Sequence, residues 1–139
     1  MSTDDVMLNK AATIERCIAR VREVYAGEFR NLSDDLTRQD SIVLNLQRAC
    51  EAAVDLAMHR VRVHRLGIPQ DSRDAFDLLA RDGRLDTALA EPLKRMVGFR
   101  NVAVRDYTRL NLSIVRSIIE RNLEDLLRFA SESIRDRRG

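Results

Sequence analysis

A chain of 139 residues has room for one domain, which excludes a multidomain enzyme, and it is long enough to bury a core without metal or disulfide staples. With 45% hydrophobic and 33% charged residues it reads as a folded soluble protein, not a disordered tail or a membrane protein, and its five glycines, two prolines and 4% aromatics favour long helices over a sandwich or barrel. The net charge of +2 hides an imbalance: of 24 basic residues only Lys10 and Lys94 are lysine, leaving 22 arginines.

Met7, Ala11, Ile14, Ile18, Val21 and Tyr25 alternate at spacings of three and four, which predicts a first helix from about Asp4 to Ala26, stopped by Gly27. After a polar stretch around Asn31 to Asp35, a second stripe runs through Val43, Leu46, Cys50, Ala53, Ala57 and Val61 to the break at Gly67-Ile68-Pro69. Asp71 or Ser72 can cap a short third helix that carries Ala75, Phe76, Leu78 and Leu79 and ends at Gly83. A fourth helix is expected from about Ala90, with Pro92 in its first turn and a turn over Asp106 to Leu110. Asn111 caps a fifth, whose stripe is Val115, Ile119, Asn122, Leu126 and Phe129, and residues 135–139 are expected to fray. The fold class is all-α, an antiparallel bundle of about five helices forming a single domain over 1–139.

The acidic start, Met1-Ser2-Thr3-Asp4-Asp5, lacks the basic flank and apolar run of a signal peptide. No segment approaches the roughly 18 apolar residues of a membrane span, so a cytoplasmic protein is expected. Cys17 and Cys50 fall on apolar stripes and read as reduced core thiols. His59 and His64 have no zinc spacing with either cysteine and read as partly exposed surface histidines. No glycine-rich phosphate loop is present, and neither metal nor cofactor is expected.

One position breaks the hydrophobic pattern. The fourth helix's stripe is Leu89, Leu93, Met96, Arg100, Ala103 and Tyr107, which puts a guanidinium in line with core residues. A buried arginine needs a carboxylate, and Glu51, Asp55 and Asp40 of the long helix are the candidates. Either Arg100 is satisfied in such a pair, or it stands at the mouth of a cleft ready for phosphate, with Lys94, Arg95, Arg105 and Arg109 close in sequence.

The segment Arg100-Asn101-Val102-Ala103-Val104-Arg105-Asp106-Tyr107 resembles the Arg-x4-His-x-Tyr motif of HepT toxins, members of the HEPN superfamily of helical ribonucleases. The likeness extends to Asp40 through Gln47 with Glu51 and Asp55, to Gly67 through Asp74, and to Met96 through Phe99. This resemblance implies a homodimer whose two motifs meet in one RNA-cleaving cleft. Arg100 would be catalytic there, Asn101 would support it, and Arg95 and Arg109 would bind RNA. It further implies a nucleotidyltransferase antitoxin, MntA, that neutralises the toxin by adding AMP to the motif tyrosine, here Tyr107.

The chain departs from the motif at Arg105, where the family has histidine. Metal-independent RNA cleavage is an attack by the 2′-hydroxyl on the neighbouring phosphate. It needs a proton acceptor that titrates near neutrality and a cation on the phosphate oxygens. Histidine, with a pKa of about 6.5, supplies the acceptor; a guanidinium stays protonated and cannot. The expectation is a folded dimer that is catalytically inactive or nearly so, whether as an engineered form or as a natural divergent member. The alternative is a non-catalytic helical partner of a nucleotidyltransferase.

Overall fold

A computed structural model describes residues 3–136, with side chains from Asp5 onward. Among them the chain forms only helices and turns. Helix α1 (Thr3–Tyr25) buries its whole predicted stripe, from Met7 and Ala11 at 0% exposure to Tyr25 at 4%. Ala26 and Gly27 then take positive φ and turn the chain. Gly27 adopts that conformation without the steric cost a side chain brings. The polar stretch that follows is not wholly a loop: α2 (Arg30–Ser33) is a single turn that pins Leu32 fully inside the core. One apolar residue among polar ones gives no periodicity, which is why the sequence does not announce it.

Helix α3 (Leu36–Val63) is the spine, 28 residues long, and Asp35 caps it by accepting from the Arg38 amide at 3.0 Å. Its buried face packs along α1, while α4 (Ser72–Arg81), α5 (Thr87–Arg105) and α7 (Leu123–Asp136) pack against its remaining sides. Asp71 is the cap of α4, accepting from the Asp74 amide at 2.8 Å. Helix α5 starts earlier than expected, because Asp86 accepts from the Ala88 amide at 2.9 Å and fixes the first turn at Thr87. Pro92 consequently lies in the second turn, not the first, buried against the core.

After a 3-10 turn (Tyr107–Arg109), Asn111 caps α6 (Leu112–Arg121) as expected, accepting from the Ser113 amide at 2.9 Å. The expected single fifth helix is two. The chain breaks at Asn122, whose side chain donates to Asp125 at 2.9 Å instead of continuing the stripe. Asparagine competes with the helical backbone in this way. Val115, Ile119, Leu126 and Phe129 still reach the core.

The C-terminal turn of α7 is anchored, so the fraying expected from residue 135 does not hold for Arg135 and Asp136; residues 137–139 lie outside the described residues. Arg60, 1% exposed, donates to Asp136 at 2.9 Å, to Ser133 at 3.0 Å and to the Arg84 carbonyl at 3.0 Å, and stacks over Phe129. Asp136 also accepts from Arg84 at 2.8 Å and meets His64 Nε2 at 3.1 Å. His64, partly buried with its side chain 9% exposed, joins this network.

Candidate functional site

Helices α3 and α5 meet antiparallel along one seam, with Glu51 against Arg100 toward one end and Asp40 against Tyr107 toward the other. At 100° per residue Asp40, Glu51 and Asp55 project from nearly one face of α3, and Asp40 stands about 16 Å from Glu51 along the axis. The exposed apolar side chains of Leu44 on α3 and Val104 on α5 fall between these two contacts in the chain.

Arg100 reaches from α5 to this acidic face. Its Nη1 donates to Glu51 Oε2 at 2.7 Å and its Nη2 to Ser72 Oγ at 3.2 Å, while Nε is buried without a partner. The arginine side chain is 17% exposed and that of Glu51 47%, so the pair closes off the seam while its carboxylate stays wet. Asp55 and Asp40 do not take the partner role. Asp55 pairs with Lys10 at 3.1 Å, and Asp40 accepts from Tyr107. Because water still reaches Glu51, breaking the pair should cost less than a fully buried one. Glu51→Gln is expected to lower stability by about 1–2 kcal/mol in urea denaturation, and an unchanged midpoint would contradict the assignment.

Arg105 points elsewhere. It is about 140° around α5 from Arg100, on the flank that carries Gly98 and Asn101. It is exposed and has no ion pair among the described residues. Asn101, Val102, Arg105, Asp106 and Arg109 line a cleft of about 310 Å³. Beside it, sharing Val102 and Arg109, opens a mainly apolar groove of about 480 Å³ between α5 and α6, with Phe99, Leu110 and Ile114 in its walls and Arg95 at its edge. The fold thus brings Asn101, Arg105 and Arg109 together and places Arg100 on the other flank of the same helix. Lys94, paired with Asp77 at 2.8 Å, is not free for a ligand.

Tyr107 lies beyond the end of α5, in the 3-10 turn. Its hydroxyl donates to Asp40 Oδ1 at 2.8 Å, with Gln39 Oε1 at 3.3 Å, and the residue is 38% exposed. Desolvation, the hydrogen bond to Asp40 and that carboxylate's charge push the phenol up to about 12. The two thiols are inert by comparison. Cys17 and Cys50 are free and buried, and burial pushes Cys50 up to about 12. Burial first, and the Arg62 charge second, pull His59 down. Among the described residues no group of three histidine, cysteine or carboxylate side chains is placed to share a metal ion.

Three residues at the site were not singled out from the sequence for these roles. Ser72 was given a role only as a cap, Gln39 carried no signal, and Arg73 stood within the resembling segment Gly67 through Asp74 without a role of its own. Arg73 Nε donates to the Lys94 carbonyl at 3.2 Å, and its guanidinium lies over Gly98, where a Cβ would come within 2.9 Å of it. A glycine in mid-helix with no turn to explain it was the available signal.

Residues 14–133 match the family described as Ribonuclease HepT-like. The chain is 50% identical over 126 residues to the mRNA nuclease HepT of Shewanella oneidensis, an alignment that spans 91% of this chain and 94% of that protein. It superimposes on a toxin–antitoxin crystal structure with AMP-PNP at a TM-score of 0.87, with 48% identity over 92% of this chain and 96% of the other. It also superimposes on the tri-AMPylated Shewanella oneidensis HEPN toxin in complex with MNT antitoxin at a TM-score of 0.86, with 48% identity over 95% and 97%.

Proposed function

The chain belongs to the HepT-like ribonuclease family, and on that premise we propose that it is the HEPN toxin of a toxin–antitoxin pair, with RNA as its ligand, whose Arg105 form binds RNA but does not cut it. The observation that carries the reading is the division of the motif across α5. Arg100, held by Glu51 and Ser72, and Arg105, without an ion pair among the described residues, project about 140° apart, and a second copy facing this helix would add its own pair of these cations, which supports a homodimer with one composite cleft.

The apolar groove beside Arg105 suits such a partner. Ile114 at 55% exposure and Val102 at 41% stand open to solvent, and Arg95 and Arg109 edge the same surface. A stable interface of this kind removes more than about 1,000 Å² from water. Light scattering is expected to report a dimer, and Ile114→Glu, which would put a charge into the contact, a monomer; a monomeric unsubstituted chain would contradict the composite cleft.

Within that cleft Arg100 is the phosphate-binding cation, steadied by Glu51 and Ser72, while Asn101 lines the Arg105 side. In the family's chemistry the 2′-oxygen bonds to phosphorus as the 5′-oxygen leaves. A histidine in the motif takes the 2′ proton. Arg105 brings a second positive charge to that place and no acceptor, so it strengthens attraction for RNA while removing the proton transfer. This same substitution favours a second reading, a non-catalytic partner of a nucleotidyltransferase, which stands if the chain binds such an enzyme but stays inert when the histidine is restored.

Neutralisation by an MNT antitoxin through AMP addition at Tyr107 completes the reading. The accessible phenol supports it, and an added phosphodiester brings negative charge and bulk beside the RNA site. Peptide mapping after incubation with the antitoxin and ATP is expected to find AMP on Tyr107, and none after Tyr107→Phe. Label confined to other residues would overturn the assignment.

A further inference from the structure

Tyr107 does not offer a bare hydroxyl to an incoming nucleotide. Its oxygen is already hydrogen-bonded to the carboxylate of Asp40, a residue of a different helix fixed by the α3 spine. We propose that Asp40 is the general base for nucleotidyl transfer to Tyr107, so that the toxin supplies the base for its own modification and the nucleotidyltransferase supplies the nucleoside triphosphate. The proposal rests on the reading of Tyr107 as the nucleotide acceptor.

The balance of the step is simple. The phenolic oxygen forms a bond to the α-phosphorus of ATP as the bond from that phosphorus to the bridging oxygen of the β-phosphate breaks. Pyrophosphate leaves, and the phenolic proton passes to Asp40 Oδ1 and from there to water. The geometry already meets the first requirement of a general base, a heavy-atom distance within hydrogen-bond reach of the proton it takes, at 2.8 Å. Asp40 is exposed, so it can hand the proton on, and it carries no ion pair among the described residues that would compete for its charge.

Among the described residues no other group at the phenol can do this work. Gln39, at 3.3 Å, is an amide whose oxygen accepts a hydrogen bond but is too weakly basic to take the proton at neutral pH. Asp106 is turned to Thr108, whose hydroxyl donates to it at 2.7 Å. Arg105 and Arg109, the neighbouring cations on the chain, have only protons to give. Across the packed elements Asp40 of α3 is the one charged group that shifts the Tyr107 hydroxyl; no guanidinium of α5 offsets it. The phenol is therefore almost wholly protonated near neutrality, and an attack that had to wait for free phenolate would draw on roughly one molecule in 10⁵. Transfer of the proton during the attack avoids that wait.

The test is the initial rate of AMP incorporation, measured by intact mass with the MNT antitoxin and Mg²⁺-ATP. Asp40→Asn keeps an oxygen that can accept the hydroxyl's hydrogen bond but cannot take its proton. It is expected to lower kcat by about 10²-fold or more with little change in the KM for the toxin. Its rate should then climb about tenfold per pH unit as hydroxide makes phenolate, while the unsubstituted protein stays nearly flat between about pH 7 and 9. Asp40→Glu, which restores a carboxylate, should recover part of the rate. Labelling of Asp40→Asn at the unsubstituted rate, or an effect confined to KM, would overturn the proposal while leaving Tyr107 as the acceptor. Persistent labelling of Tyr107→Phe would instead remove the acceptor reading beneath it. Circular dichroism and the dimer mass confirm that each variant is folded.

Discussion

Arg105→His is expected to raise RNA cleavage by about 10²–10⁴-fold over the unsubstituted chain, the usual worth of a positioned general base. The substitution falls on an exposed side chain without an ion pair, so it should leave stability within about 0.5 kcal/mol and test chemistry alone. The pH dependence follows from the role. An imidazole accepts a proton only when neutral, so cleavage should rise from acid toward neutral pH with a midpoint near the ordinary histidine value of about 6.5. In growing cells the restored protein should arrest growth, and co-expression of the antitoxin should relieve it. A folded, dimeric Arg105→His protein that cuts no RNA would remove the nuclease reading and leave the non-catalytic partner.

The largest effect on stability is expected at Asp136→Ala. Asp136 is the acceptor for Arg60, Arg84 and His64 together, and Arg60 is 1% exposed. Removing the carboxylate strands a charge that water cannot reach. A stranded charge of this kind costs about 3–5 kcal/mol, where an exposed pair costs less than 1. In a chain of this length that lowers the melting temperature by about 10 °C. Asp136→Asn, which keeps an acceptor without the charge, should fall between. A loss below about 1 kcal/mol for Asp136→Ala would show that Arg60 finds another partner and that the end of α7 is not what holds the bundle closed.

The long helices were legible because their apolar residues recur at three and four, and burial has to follow that stripe. Met7 to Tyr25 in α1 and Val43 to Val61 in α3 did so residue by residue. Boundaries were less legible where a cap competed with a stronger signal. Pro92 drew the expected start of α5 toward itself, yet Asp86 set it, since one side-chain oxygen on a free amide decides the first turn. Asn122 sat in register with an apolar stripe, and register says nothing about whether an asparagine will instead bond locally and break the helix.

At the site, Arg100 stood out because a cation in an apolar stripe demands an explanation, and Glu51 was among the three carboxylates that could supply one. Choosing between Glu51, Asp55 and Asp40 needed the register of α5 against α3, which depends on packing across the seam and leaves no local mark in either helix. The pairing of Tyr107 with Asp40 was hidden for the same reason, although the turn after Arg105 that lets the tyrosine reach α3 was expected from the sequence. The contact role of Arg73 was not legible because its cue, Gly98, lies on another helix.

The roles of Arg100 and Arg105 separate most sharply in RNA cleavage in excess EDTA by three proteins side by side: the unsubstituted chain, Arg105→His, and Arg105→His with Arg100→Ala. Only Arg105→His is expected to cut, leaving 2′,3′-cyclic phosphate ends, because it alone has both the cation on the phosphate and a group to take the 2′ proton. Equal cutting by the unsubstituted chain, or cutting that survives the loss of Arg100, would contradict these roles.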